Sequence, residues 1–308
     1  MQDFSNKPMF EIYNTLLTQL EQKKQISFLA LNPDIKDGVY AGEKLILDNQ
    51  EFTYRSLYSF IDLSSILNCK MLLPKCIDEK LIEITFKKLN KQKSFHEDEN
   101  SNEKYGVTSS FSRINKNEEP DFLLNYISCL KNVKIGKRKR VLNLGVNSGS
   151  EFEVIKNLCE NFEDLELVGI DYSKTAIKYA KKRFDNNSNV SFYAWDINNL
   201  DELNLGQFDL IISIGTLQSS NLNFNETLMN IVQKYLKKDA AMILGFPNCR
   251  WYDGVMAYGA IPKNYSYPEM SILYKDAIFC KKYLQQKKFR VTLTGKNYIF
   301  LTATSIRK

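Results

Sequence analysis

Histidine is almost missing from this chain: His96 is the only one among 308 residues. Six cysteines are present, Cys69, Cys76, Cys129, Cys159, Cys249 and Cys280, but none form a CxxC pair. A metal centre assembled from imidazoles and thiolates is therefore not expected. The scattered thiols read as buried side chains of a cytoplasmic protein. No stretch approaches the roughly 20 apolar residues of a membrane span. The opening "MQDFSNKPMFEIYN" has neither a basic start nor a following apolar block, so no secretory signal is expected. The chain has no internal repeat, and a strong charge imbalance is also absent. The net charge is +6, which permits contact with an anionic partner without requiring it. The densest basic run, "KIGKRKR" (134–140), directly precedes an apolar stretch and reads as a solvated strand entrance.

What is present is apolar and patterned. Hydrophobic residues make up 44% of the chain, enough for a sizeable core and too much for global disorder. From about residue 120 the sequence alternates. "EEPDFLLNYISCLKNV" has helical spacing, with acids and a proline at its start. "RVLNLG" is a short buried strand and "SEFEVIKNLCENF" a helix. "LELVGID" is a strand, and "SKTAIKYAKKRF" a helix with Ser173 as its N-cap. The strands "VSFYAWD" and "FDLIISIG" follow, then a helix "NETLMNIVQKYLKK", a strand "AAMILGF" and a helix "EMSILYKDAIFCKKYLQQKK". Two β-rich runs around "GKN" close the chain as a hairpin. Short links between alternating β and α units predict an α/β fold, a doubly wound, mostly parallel seven-stranded sheet with helices on both faces. The C-terminal hairpin would add an antiparallel strand at the end of that sheet.

Residues 1–119 lack this rhythm. "MFEIYNTLLTQLEQ" and "SLYSFIDLSSILN" are helical, "ISFLAL" and "KLIEITFKKL" are strand-like, and "EKLILD" can pair with "EFTYRS". An N-terminal α+β accessory region over 1–119 is expected, ahead of a domain over 120–308. The polar stretch "SFHEDENSNEKYG" reads as a linker or mobile loop.

Candidate ligand-binding features fall at the carboxyl ends of successive strands, where open α/β sheets bind ligands. After the first comes Gly145-Val146-Asn147-Ser148-Gly149. Glycine allows close backbone approach and positive φ, and asparagine is the next best residue for a left-handed position. After the second comes Asp171, an acid able to accept both hydroxyls of a ribose. After the third comes Asp196, able to accept from an adenine amine. Each has a plainer reading alone: a tight turn, a helix cap, a loop residue. In order on three strands they describe an adenosine binder. The nicotinamide-dinucleotide fingerprint G-x-G-x-x-G does not fit, because its glycine positions hold Gly145, Asn147 and Ser150.

These stretches resemble the class I S-adenosylmethionine-dependent methyltransferases over roughly the last three-fifths of the chain. "VLNLGVNSG" is similar to that superfamily's first motif, "LVGIDYS" to its second, "YAWDIN" to its third and "FDLIISIGTLQ" to its fourth. The resemblance implies S-adenosyl-L-methionine as cofactor. Gly145, Asn147 and Gly149 would pass the methionine part, the Asn143 amide could hydrogen-bond a ligand or a water, Asp171 would hold the ribose and Tyr172 would lie against the adenine. Asp196 and Ile197 would read the adenine edge, and Ile214 and Gly215 would flank the reactive centre. The family usually carries an acid where Asn143 stands and glycine where Asn147 stands. Loss of that charge is expected to weaken cofactor binding by about 1–2 kcal/mol.

Methyl transfer from a sulfonium needs positioning more than a base, so no residue is assigned a catalytic role. The Asn-Pro-Pro-Tyr-type motif of the adenine-amine and glutamine-amide enzymes is replaced by "GTLQSS", which disfavours those acceptors. The long segment "FPNCRWYDGVMAYGAIPKNYSYPEM" supplies candidate acceptor contacts in Trp251, Tyr252, Tyr258 and Tyr265; packing on the N-terminal region is the alternative. Cys249 reads as structural, and His96 among its acids as an exposed bystander rather than a base. Tyr105 and Phe111 are candidates for a lid before the domain. The expected activity is cytoplasmic methyl transfer to a small organic molecule. RNA, tRNA or rRNA, is the second reading, and a non-catalytic cofactor-binding scaffold or regulatory subunit the third.

Overall fold

The computed structural model describes residues 1–90, 106, 109–219, 221–260 and 268–307. The chain divides into two compact units. One is Met1–Lys93 with Trp251–Ala257, the other Ser94–Arg250 with Tyr258–Lys308.

In the first unit, β1 (Gln2–Asp3), α1 (Met9–Gln22) and β2 (Gln25–Leu31) are followed by a hairpin of β3 (Lys44–Leu47) and β4 (Gln50–Thr53). Its turn, Asp48-Asn49, takes the left-handed φ values of 50° and 62°. Then come α2 (Leu57–Ile66), β5 (Cys69–Met71), β6 (Lys75–Cys76) and β7 (Leu81–Lys88). The sheet runs β1-β2-β7-β5, with β6 also on β7. The buried side chains of α1 and α2 close a core around Phe4, Phe28, Phe60 and Phe86. The Phe28 and Phe86 rings meet edge to face with centroids 5.3 Å apart.

The second unit carries α3 (Pro120–Asn132), β8 (Arg140–Leu144), α4 (Ser150–Leu158), β9 (Glu166–Asp171), α5 (Lys174–Arg183), β10 (Val190–Ala194) and β11 (Phe208–Ile214). It continues with α6 (Phe224–Asn230), β12 (Leu236–Pro247), the short pair β13 (Cys249–Tyr252) and β14 (Val255–Tyr258), α7 (Ser271–Gln286), β15 (Phe289–Gly295) and β16 (Tyr298–Ser305). The tip of the β13–β14 pair is the part grouped with the first unit. Seven strands form one sheet in the order β10-β9-β8-β11-β12-β16-β15. All neighbours are parallel except those of β16. The doubly wound sheet is thus the one the alternation predicts. Apolar residues of α3, α4 and α5 pack on one face and those of α6 and α7 on the other. Strand β8 serves both: Val141 faces the first layer, Leu142 and Leu144 the second.

Three details differ from expectation. The antiparallel strand is β16, one place in from the edge, with β15 outermost. It goes inside because it is the more apolar: Phe300, Leu301 and Ala303 are fully buried, whereas β15 alternates and is largely exposed. The helix after β11 continues past α6 as a π turn, Ile231–Tyr235, and ends there rather than at Lys238, because Leu236 is already aligned with Phe208 as the start of β12. The aromatic segment after β12 contains the β13–β14 hairpin instead of running irregularly. Its Asp253-Gly254 turn has φ of 50° and 79°, the left-handed pair that a two-residue hairpin needs.

Candidate functional site

Strand order reverses between β8 and β11: from β8 the chain winds outward through β9 and β10, then returns to lay β11 on the other side. A crevice outside the carboxyl ends of β8 and β11 is the expected ligand site of such a sheet.

The turn after β8 is tight. The Gly145 and Val146 amides both donate to the Ile170 carbonyl, at 2.8 and 3.0 Å. Gly145 has φ of 80°, and a Cβ there would lie 1.8 Å from Thr216 Oγ1, so the turns after β8 and β11 touch at this point. Asn147 sits at φ 46°, in the left-handed region that the sequence anticipates for it. Its Oδ1 accepts from the Ser148 amide at 2.8 Å. Gly149, at φ 82°, is the N-cap of α4 and offers no side-chain cap.

Asp171, at the end of β9, joins two turns. One carboxylate oxygen accepts from the Asn147 amide at 2.8 Å and the other from Ser173 at 2.9 Å. Ser173 then caps α5 through its hydroxyl, which accepts from the Ala176 amide. Tyr172 is 55% exposed. Asp196 accepts from the Asn198 amide at 2.9 Å and opens the 3-10 turn Ile197–Leu203. Ile214 is buried, and the Gly215 amide donates to the Gly245 carbonyl at 2.9 Å. The candidate residues Gly145, Asn147, Gly149, Asp171, Tyr172, Asp196, Ile197, Ile214 and Gly215 thus lie at or just beyond the carboxyl ends of four adjacent strands. Asn143 is one residue inside β8, paired to Gly169 on one side and Ile212 on the other. It is 1% exposed, and its Nδ2 has no hydrogen-bond partner.

The aromatic candidates are not gathered in the same way. Trp251 and Tyr252 lie in β13 and are grouped with the first unit. Tyr258 ends β14 in the second, half exposed, with its hydroxyl 3.6 Å from Met270 Sδ. Tyr265, His96 and Tyr105 lie outside the described residues, and Phe111 is in the 3-10 turn Ser110–Arg113. Burial pushes the Cys249 thiol up to about 11, against the opposing pull of a Tyr298 hydrogen bond and the Lys116 charge. A thiol so protonated is a poor nucleophile. The six cysteines are free; four are buried, but Cys249 is only partly so and Cys76 is exposed, in contrast to the uniformly buried set expected. Among the described residues no helix is long and apolar enough to cross a membrane, and no group of His, Cys, Asp and Glu is placed to hold a metal ion.

Sequence reading misses three side chains at the turn. Thr216 fills the space beside Gly145. Lys116 lies 3.2 Å from Glu151 on the first turn of α4. Arg183, from the last turn of α5, reaches the Ser148 carbonyl at 3.4 Å and the Ser150 hydroxyl at 3.3 Å. Nothing local marks Lys116 or Arg183 among many surface-like basic residues.

The family described as "Methyltransferase domain" matches residues 135–289, just over half of the chain. Among solved structures, the N-methyltransferase NodS from Bradyrhizobium japonicum, in complex with S-adenosyl-L-homocysteine, is 16% identical, with a TM-score of 0.44 over 62% of this chain and 91% of that one. An O-methyltransferase family protein from Burkholderia thailandensis is 11% identical, with a TM-score of 0.44 over 68% and 61%. Coclaurine N-methyltransferase, bound to N-methylheliamine and S-adenosyl-L-homocysteine, is 17% identical, with a TM-score of 0.35; the match covers 42% of this chain and 37% of that enzyme. No curated protein matches the sequence. A parallel sheet reversing at β8 and β11, and a family match that begins just before β8 and ends at the start of β15, place the same stretch in one class: the chain belongs to the methyltransferase domain family.

Proposed function

We propose that the protein is an S-adenosylmethionine-dependent methyltransferase acting on a small organic acceptor. The observation that carries the reading is the Asp171 carboxylate. It sits at the end of β9 and ties the Asn147 amide to the start of α5, directly beside the switch point. The residues suit the cofactor. Asp171 offers a charged acceptor to ribose hydroxyls, Asn143 offers a buried amide nitrogen without a partner, and the Gly145 turn lets the backbone come close.

Bound there, S-adenosylmethionine supplies a methyl group already activated by a positively charged sulfur. The chain's own residues then bind and orient. Gly145, Asn147 and Gly149 would pass the methionine end, with the Asn143 amide hydrogen-bonding beside it. Tyr172 would lie against the adenine, Asp196 and Ile197 would read its edge, and Ile214 and Gly215 would flank the reacting end. Tyr258 is the aromatic candidate in the sheet's own unit, and it carries the acceptor proposal: its ring would present an apolar face to a planar or cationic acceptor. Cys249, held protonated by burial, takes no part as a thiolate.

Incubation with labelled cofactor and fractionated cell extract tests the reading. A labelled small molecule supports it. Acceptor affinity should then hardly respond to salt, whereas an RNA held through several phosphates would lose a hundredfold or more between about 50 and 200 mM. Tight cofactor binding with no labelled product in any fraction would indicate a non-catalytic scaffold.

A further inference from the structure

Lys116 lies in the lid-candidate stretch ahead of α3 and outside the four cofactor motifs, yet its charge is largely withdrawn from water. Its side chain is 16% exposed and that of its partner Glu151 only 5%. The ammonium also lies 5.1 Å from the Phe122 ring centroid and 5.9 Å from that of Tyr298. The neighbouring Asn117 donates through Nδ2 to the Ser150 carbonyl at 3.0 Å. One short 3-10 turn, Lys116–Glu118, therefore grips the first two residues of α4. Those residues directly follow the Gly145–Gly149 turn. On the other flank Arg183 holds Ser148 and Ser150 and pairs with Glu153.

A desolvated ion pair is a poor way to gain stability, because desolvation offsets most of the attraction. It does fix geometry, since either partner alone would be a buried, unpaired charge. Here the geometry fixed is that of the turn. Gly149 gives α4 no side-chain cap, and Asn147 stands where glycine would be more pliant. The carboxylate of Glu151 suits the positive end of the α4 dipole, and Lys116 supplies the countercharge from outside.

We propose that Lys116 is a positioning residue for the cofactor turn: its pairing with Glu151 holds the first turn of α4, and so the backbone of Gly145–Gly149, in the form that binds the cofactor. The proposal rests on the reading of this turn as the cofactor site. It goes further in making the short stretch just ahead of α3 part of that site's affinity. By reciprocity, cofactor binding should also strengthen the grip of that segment on α4.

The test uses the full chain and S-adenosylmethionine itself. Lys116→Met keeps the apolar stem over Phe122 and Tyr298 and removes the charge. It should weaken cofactor affinity about tenfold or more by calorimetry, while Lys116→Arg recovers most of it. A folded Lys116→Met protein binding within about twofold of the wild type overturns the proposal. If that variant does not fold, Lys116→Met with Glu151→Gln removes both charges together and leaves no orphan. The same loss of about tenfold is then expected, and wild-type affinity again overturns the idea. Hydrogen exchange gives a readout free of cofactor: in Lys116→Met, faster exchange should be confined to residues 145–152. Unchanged exchange there overturns the proposal even if the wild type binds no S-adenosylmethionine, an outcome that would separately refute the assigned function.

Discussion

Replacing Asp171 by alanine separates bracing from binding. In the free protein its carboxylate accepts backbone bonds from Asn147 and Ser173 at 2.8 and 2.9 Å. A hydrogen bond to a charged group is worth about 1.5–3 kcal/mol, and the half-buried position lets water take over part of that, so about 2–3 kcal/mol of stability should be lost in all. For a domain of this size that lowers Tm by roughly 5–10 °C. Cofactor binding should weaken further, because the ribose hydroxyls lose a charged acceptor; about 1.5–3 kcal/mol corresponds to roughly 10–150-fold in Kd. Asp171→Asn keeps one acceptor oxygen and turns an amide toward the second backbone donor, so its Tm and Kd should fall between those of wild type and alanine. Scanning calorimetry and titration of S-adenosylmethionine, both below the lowest Tm, measure the two effects. A folded Asp171→Ala protein with lowered Tm and unchanged Kd would leave the carboxylate as a brace alone and refute the ribose assignment.

Gly145→Ala combines a left-handed φ with a Cβ placed 1.8 Å from Thr216 Oγ1, and should cost about 2–4 kcal/mol of stability; adding Thr216→Ala should recover only part, since the backbone strain remains. Wild-type stability in denaturant for Gly145→Ala would contradict the observed turn. Asn143→Asp introduces a carboxylate at a site 1% exposed, so the free protein should melt earlier, while S-adenosylmethionine, with its ammonium, should raise Tm more in the variant than in the wild type. Equal ligand-induced shifts would show that residue 143 does not sense the cofactor. With a thiol alkylating reagent near about pH 7.5, Cys76 should react first, being exposed. Cys249, pushed up to about 11 and therefore protonated below that pH, should react only as the solution becomes strongly alkaline, and fast labelling of Cys249 by mass mapping would refute its burial.

How much of this was legible follows from the range of the interactions. A strand buried on both faces has to be apolar throughout, so "DLIISI" and "AAMILGF" announce central strands of a parallel sheet without any partner being known. Ser173 is legible as a cap because its partner is three residues away. The β13–β14 hairpin carried its signal in Asp253-Gly254, but the flanking runs "CRWY" and "VMAY" are only four residues each and do not alternate cleanly. The order of the last two strands was present as a contrast in apolarity between "YIFLTATS" and "FRVTLTG", and the inner place goes to the strand with more to bury.

The turn itself shows where sequence reading ends. Its glycines, and the asparagine that takes a left-handed φ, are local requirements and could be read in place. What holds the turn is not local. The Asp171 carboxylate comes from 24 residues beyond Asn147, Lys116 from 35 residues before Glu151, and Arg183 from 35 residues beyond Ser148. Only Asp171 stood at a position that a strand-end rule singles out. Lys116 and Arg183 have the composition of ordinary surface residues, and only the fold takes Lys116 out of water. On the proposal made for Lys116, the same motif with a different upstream segment would keep its glycines and lose the contacts to Ser150 and Glu151. If this turn is the cofactor site, its affinity would belong to the fold as much as to the motif, and substitution at Lys116 tests that more sharply than substitution at any glycine.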